Sequence, residues 1–274
     1  MVEDKIYIIN LRRRKDRKKH CIEEFKKFPK FKIIFVDAFE ETNPANGLWN
    51  TIVFIINEID KLESNYIIIC EDDHFFTPYF SFNKFKSSIN KSKKYKPDII
   101  LGGVSSLTNA FKVSNDLYWI DSFSGTQFTI IFKRFYKKLI NSSFSFPETA
   151  DSKISILAQN KFVLFPFISI QKDFGYSDVT PANNSYERVD RLFQFSQEKL
   201  KSVEYIEKFH RQFQHSILEL SSYKFEFPLY IIEKQEGSVD PLNFELKNKP
   251  EFSPIKLIAN NKNYLKEIIK ENKS

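Results

Sequence analysis

The chain has 274 residues, 42% hydrophobic and 28% charged, which places it among ordinary globular proteins and excludes disordered and fibrous classes. Its 42 Lys and Arg against 35 Asp and Glu leave a net charge of +7, too modest at this length to argue by itself for nucleic-acid binding. Cys21 and Cys70 are its only cysteines; alone they build no zinc site and read as small hydrophobes of a reducing compartment.

The segment Lys5 to Asn10, KIYIIN, opens the chain as a strand after a few polar-leaning residues. A charged segment follows in which Cys21, Phe25 and Phe28 recur at helical spacing. FKIIFVDAF, Phe31 to Phe39, is a second strand beyond the Pro29 breaker. Leu48, Ile52, Ile55, Ile56, Ile59 and Leu62 trace a helical stripe before the apolar run YIIIC, Tyr66 to Cys70. Such alternation predicts an α/β fold with a mostly parallel sheet flanked by helices, its central strands reading as continuous apolar runs. DIILGG, LYWIDSF and TQFTIIF continue the sheet, KRFYKKLINS is helical, and PETADSKISIL turns from loop into helix with Thr149 or Asp151 near its cap. KFVLFPFISIQKDFGYSD is extended, and Tyr186 to Tyr223 is helical and charged.

The lysine-rich stretches Arg12 to His20 and Asn90 to Lys96 read first as solvated helix faces, with phosphates or anionic membrane surfaces as the other customers. His210 and His215 are five apart, so they do not share a helical face and make a poor metal pair. No apolar run approaches the roughly 18 residues of a membrane span. The expected location is cytoplasmic, with peripheral association at the inner membrane face as a further expectation.

The run YIIIC ends in Glu71, Asp72 and Asp73. In open α/β sheets ligands sit beyond the carboxyl ends of the strands, so these acids fall on the binding edge. Adjacent anions repel, and a cation or strong donors must offset them; hard oxygen ligands suit Mg²⁺ or Mn²⁺. Side chains alternate along an extended segment, so Glu71 and Asp73 share a side and can address an ion while Asp72 is bound into the scaffold. The bland alternative is a solvated strand end or a helix cap. His74 reads as a hydrogen-bonded neighbour rather than a ligand.

The order YIINLRRRKDR, FVDAF, apolar strand plus EDD, GTQFTIIFKRFYKKLI and FISIQKDFGYSD resembles glycosyltransferase family 25, which holds lipooligosaccharide and procollagen galactosyltransferases. The resemblance covers roughly residues 5 to 180. It implies a GT-A-like nucleotide-binding domain over residues 1–185 with a DxD-type metal site; residues 186–274, by their composition, read as a helical and irregular extension packed on it. It also implies inverting transfer of a hexose, galactose by kinship, from a UDP-sugar to a glycan or glycoconjugate acceptor, with Mn²⁺ or Mg²⁺ as cofactor. It puts Asn10, Arg13 and Arg17 near the nucleotide, and Asp73 with Asp72 or Glu71 at the metal. Gln171, Ser177 and Asp178 match its last motif and would position donor or acceptor. Where the family shows a Gly-Cys-x-x-Ser-His helix start, this chain has NGLWNTIVF, keeping Gly47 and leaving Asn50 or Thr51 as substitutes.

The chemistry of such a transfer asks for two things. Charge developing on a departing nucleoside diphosphate is stabilised by a divalent ion, and the attacking hydroxyl must give its proton to a carboxylate. Asp151 is the favoured base, Glu148 its competitor and Asp178 a third candidate; for Asp151 the alternative role is a helix cap. Two other readings stand beside the transferase. One is a nonenzymatic or degenerate transferase-like protein binding nucleic acid or anionic surfaces, although no nucleic-acid module is present and the lysines are dispersed. The other is a metal-dependent phosphoryl-transfer or hydrolytic enzyme built on the same acids.

Overall fold

The structure, a computed structural model, describes residues 4–61, 63–175 and 188–221, with side chains to residue 208. Ser177, Asp178 and the tail beyond Ser221 lie outside the described residues, as do the side chains of His210 and His215.

Strand β1 (Asp4–Asn10) leads to helix α1 (Lys15–Lys26) and strand β2 (Phe31–Asp37). Helix α2 (Pro44–Phe54) starts with Pro44 in its first turn and the Asn43 side chain accepting the Ala45 N–H at 3.0 Å, then runs into a π-helical turn, Ile55–Ile59. There follow β3 (Tyr66–Glu71), β4 (His74–Phe76), α3 (Phe82–Ser92), a 3₁₀ turn (Lys93–Tyr95) and β5 (Ile99–Leu101). Next come β6 (Ser106–Leu107), β7 (Ala110–Ser114), β8 (Leu117–Ile120), β9 (Phe123–Ser124) and β10 (Phe128–Phe132). Helices α4 (Lys133–Ile140) and α5 (Ala150–Leu157), strands β11 (Lys161–Leu164) and β12 (Ser169–Gln171), and helix α6 (Arg188–Ser221) complete the described elements. The chain divides into two compact units between Tyr205 and Ile206. All sites discussed below belong to the first.

Eight strands form one sheet in the order β2-β1-β3-β10-β5-β11-β8-β7. Its left part is parallel as the alternation predicts, β1 pairing in parallel with β2 and β3. The expectation of a mostly parallel sheet fails beyond β3. Strand β10 enters antiparallel between β3 and β5, and β8 is antiparallel to both β11 and β7, so four of seven junctions are antiparallel. The reason is burial. All five β10 residues are buried, so β10 reads as a continuous apolar run whichever way it points. The segment LYWIDSF also splits, β8 joining the large sheet and β9 pairing with β6 outside it.

Helices cover both faces. Ile67 and Ile69 of β3 face a core shared with Trp49 and Ile52 of α2, Phe135 and Leu139 of α4 and Ile154 of α5. Ile68 and Cys70 face the other core, with Cys21 and Phe25 of α1 and Phe85 and Ile89 of α3. That core is largely aromatic, Phe76 lying 4.3 Å from Phe80 and 5.2 Å from Phe25 between ring centroids. Cys21 and Cys70 are both buried free thiols within it. Among the described residues no helix is long and apolar enough to cross a membrane.

Register fixes which residues meet at the edge. Asn10 pairs with Asp37 and Ile9 with Glu71, so β1, β2 and β3 end together. Because β10 runs the other way, its start lies there too: Phe128 opposes Cys70, and Glu71 N–H donates to Gln127 O at 3.1 Å.

Candidate active site

The acids Glu71, Asp72 and Asp73 occupy the end of β3 and the two-residue turn into β4. A stripe of α1 clamps this turn. Arg17, Cys21, Glu24 and Phe25 are the buried residues of α1, at the spacing of one helical face. Arg17 Nη1 donates to Asp72 Oδ1 at 2.9 Å and reaches Asp73 Oδ2 at 3.4 Å. His20 Nε2 lies 2.8 Å from His74 O, the Cys21 thiol 3.3 Å from Asp72 O, and Glu24 Oε1 accepts the Phe76 N–H at 3.0 Å. Asn10 at the end of β1 donates to the second oxygen of Asp72 at 2.8 Å. Asp72 is thus bound into the scaffold by Arg17 and Asn10, through a turn rather than through strand alternation, and it also lines the cavity described below.

Glu71 and Asp73 are held differently. Glu71 Oε1 accepts the Thr126 hydroxyl at 2.6 Å. Burial pushes its carboxyl well above the usual range, and Asp73, Asp72 and Asp151 push the same way against the Thr126 hydrogen bond. Asp73 is raised too, by burial first, with Arg17 and hydrogen bonds from its own backbone and the Gln171 side chain opposing. Asp73 Oδ1 is buried without a hydrogen-bond partner among the described residues. Such an orphaned acceptor beside a second carboxylate asks for a donor or a cation.

These side chains line a cavity of about 500 Å³. Its other walls come from the ends of β1 and β2, the β6–β9 ribbon, the start of α5 and the start of α6. Asp151 lines it in the first turn of α5. The helix cap is Thr149, in a capping box with Ser152, so Asp151 is not the cap. Asp151 Oδ2 accepts the Gly125 N–H at 3.0 Å, and Oδ1 accepts the Ser152 N–H at 2.8 Å and the Thr149 hydroxyl. Gly125 sits at φ +98°, a conformation glycine adopts freely, and its N–H is thereby aimed at Asp151. Thr126 and Gly125 escape a sequence reading because they serve the site only when β10 is antiparallel.

The other candidates are placed in different ways. Gln171, at the end of β12, lines the cavity, and Lys172 N–H donates to Asp73 O at 2.7 Å. Arg13 and Arg17 also line it, Arg13 ion-paired with Glu40 and Arg17 with Asp72 and Asp73. Glu148 is not brought to the cavity; Lys153 Nζ holds it at 2.6 Å and lowers its pKa. His74 is fully buried beside Phe76 and Phe128, its Nδ1 2.7 Å from Ser169 Oγ, and burial lowers its pKa to about 3.

In the NGLWNTIVF stretch, Gly47 is required by packing, since a Cβ there would lie 2.2 Å from Phe39 O. Thr51 is buried, donating to Gly47 O at 2.6 Å and accepting the Phe39 N–H, and Asn50 donates to Glu41 at 2.5 Å, so neither lines the cavity. Sequence reasoning missed Arg188, a cavity-lining cation at the start of α6 with no ion-pair partner among the described residues. Only the fold brings it to β3, and no local motif marks it.

Among the described residues no three His, Cys, Asp or Glu side chains converge as a protein-only metal centre. The oxygen donors that do exist, Glu71 and the unpartnered Asp73 Oδ1, fit an ion that takes its remaining ligands from phosphates and water, as Mg²⁺ does.

No family model and no curated protein matches the chain. Among solved structures it is similar to apo UDP-glucose pyrophosphorylase, at 11% identity over 72% of this chain and 82% of that chain, with a TM-score of 0.41. The complex of that enzyme type with UDP-glucose matches at 11% identity over 72% and 81%, with a TM-score of 0.40. A glycosyltransferase involved in glycosylation of the major capsid of PBCV-1 matches at 11% identity over 59% and 81%, with a TM-score of 0.38. Likeness at this level assigns neither family nor ligand, so the functional argument rests on the side chains.

Proposed function

We propose that this chain is an inverting glycosyltransferase of GT-A type, similar to family 25, moving a hexose from a UDP-sugar to a hydroxyl of a glycan or glycoconjugate. The observation that carries the proposal is the unpartnered Asp73 Oδ1 beside Glu71, in the same cavity as a cradled Asp151. Glu71 and Asp73 would hold Mn²⁺ or Mg²⁺, which when bound offsets the charge developing on a departing diphosphate. Asp72, Asn10 and Arg17 keep that pair in place, and Asp72 and Arg17 themselves line the cavity.

Asp151 is the base. Its cradle fixes the carboxylate's orientation, and the remaining lone pairs can take the proton of the attacking hydroxyl. That oxygen bonds to the anomeric carbon as the bond to the diphosphate oxygen breaks, and a single in-line displacement inverts the centre. Arg188 adds a further guanidinium for the diphosphate oxygens to those of Arg13 and Arg17 in the same cavity. Gln171 contributes neutral hydrogen bonds to donor or acceptor. The galactose assignment, cytoplasmic location, peripheral membrane contact and absence of a nucleic-acid partner belong to the same proposal.

The test is a panel of nucleotide sugars with and without Mn²⁺, scored by hydrolysis and by thermal shift. A UDP-specific, metal-dependent response that disappears in Asp73→Asn is expected. Association with no nucleotide sugar under either condition would overturn the reading.

A further inference from the structure

At the opposite edge of the sheet lies a second depression, of about 300 Å³. Asn65 precedes β3, Pro97 lies just before β5, and Phe132 ends β10, so the depression sits about 20 Å along β3 from Glu71, at ~3.3 Å per strand residue. Its charged lining residues are Lys93, Lys96, Lys133 and Arg134, and no carboxylate lines it.

The nearby acid is already committed. Asp98 Oδ2 accepts the Gln159 and Asn160 N–H groups, each at 2.9 Å, and Oδ1 lies 3.5 Å from Arg134 Nε. Arg134 also donates to Lys96 O. Lys93, Lys96 and Lys133 have no ion-pair partner among the described residues, although all three are exposed around one concavity. Lys96 adopts φ +49°, one of two non-glycine residues in the left-handed region among those described, and its carbonyl is pinned by Arg134 and by Asn160 Nδ2 at 2.9 Å. The backbone at Lys96 is therefore held in an uncommon conformation by hydrogen bonds. Like charges gathered around a concave, carboxylate-free surface repel one another, and a multiply charged anion relieves that repulsion.

We propose that this depression is a binding site for a phosphate monoester dianion, separate from the cleft and independent of its assigned chemistry. Arg134 offers fixed N–H donors, and Lys93, Lys96 and Lys133 offer mobile ammonium groups for the remaining oxygens. The dianion has two possible sources, a soluble phosphorylated molecule or the headgroup of phosphatidic acid.

The full chain, kept in EDTA, is titrated with inorganic phosphate by calorimetry, and in parallel sedimented with vesicles containing phosphatidic acid. Wild type is compared with Lys93→Gln/Lys133→Gln and with Lys133→Glu, all exposed positions whose melting curves verify folding. The expected result is salt-sensitive binding in at least one arm, weakened at least about tenfold in both variants. Loss confined to the phosphate arm identifies a soluble ligand, and loss confined to the vesicle arm identifies the lipid. Equal binding by wild type and both variants, or no binding in either arm, overturns the proposal.

Discussion

The two edges of the central sheet handle charge in opposite ways. Where β1, β2 and β3 end, charge is buried and largely pinned: Arg17 and Asn10 fix Asp72, Thr126 holds Glu71, and three donors cradle Asp151. Where β3 and β5 begin, the lysines are exposed and unpaired among the described residues. A buried edge preorganises its groups for bond-making chemistry, whereas an exposed one attracts and releases ions. Substitutions at the first edge should therefore change stability and turnover, and at the second only binding.

The largest effect expected at the cleft edge is on Arg17. Its side chain is 9% exposed and that of Asp72 10%, so Arg17→Ala leaves a buried carboxylate without its cation. The loss should be about 3–5 kcal/mol, read by urea unfolding. An unchanged midpoint would mean that the α1 clamp does not hold the acidic turn. Next comes Asp151→Asn, which should reduce turnover at least ~100-fold while leaving nucleotide-sugar affinity in place. Turnover equal to wild type would remove Asp151 from the proposed mechanism and leave its cradle as helix-start architecture.

Titration gives a third and smaller contrast. Burial keeps the folded value of His74 at about 3, below its ordinary value, so the unfolded chain takes up the proton first as pH falls through about 6.5. Stability from neutral His74 is full above that pH and is lost progressively toward 3, amounting to about 2 kcal/mol at pH 5. Glu71 and Asp73 act with the opposite sign. Their folded values are raised, so in the metal-free chain their contribution is full below the ordinary carboxylate range and is lost as pH rises toward about 8 and about 7. Melts across pH 5 to 8 should show His74→Gln flattening the acid limb and Glu71→Gln gaining on wild type at the alkaline end. Parallel curves for all three proteins would show that neither burial matters to stability.

Much of this was legible before the fold was known. The apolar run ending in three acids put those acids at the end of β3, on the edge where ligands bind in open sheets, but Asp72 and Asp73 form a turn rather than extended strand, so all three line one cavity instead of alternating sides. What could not be read was direction and partnership. A strand buried on both faces carries no mark of its polarity, so antiparallel β10, and with it Thr126 and Gly125, was invisible. A basic run does not announce which member turns inward, so the pairing of Arg17 with Asp72 and its packing on Phe174, whose ring centroid lies 4.9 Å from its guanidinium carbon, could not be read from the sequence. The lysines of Asn90 to Lys96 were noticed, but the carboxylate-free hollow they share with Lys133 and Arg134 needed three strand ends side by side.

The smallest effect is the most discriminating, because it asks whether the cleft has any charge of the kind found at the far edge. Arg188 is exposed and lacks an ion-pair partner among the described residues, yet it lines the buried site rather than the hollow. Arg188→Ala should leave the urea midpoint where it is and weaken UDP binding by roughly tenfold, the cost of one charge-assisted contact. Arg13→Ala should cost less, since Glu40 competes with any ligand for that guanidinium. If the order is reversed, the ion pair opens on binding and the diphosphate contact returns to α1's side of the cleft. If both variants bind as wild type does while wild type itself binds UDP, the diphosphate is held by the carboxylate-bound ion and backbone donors alone.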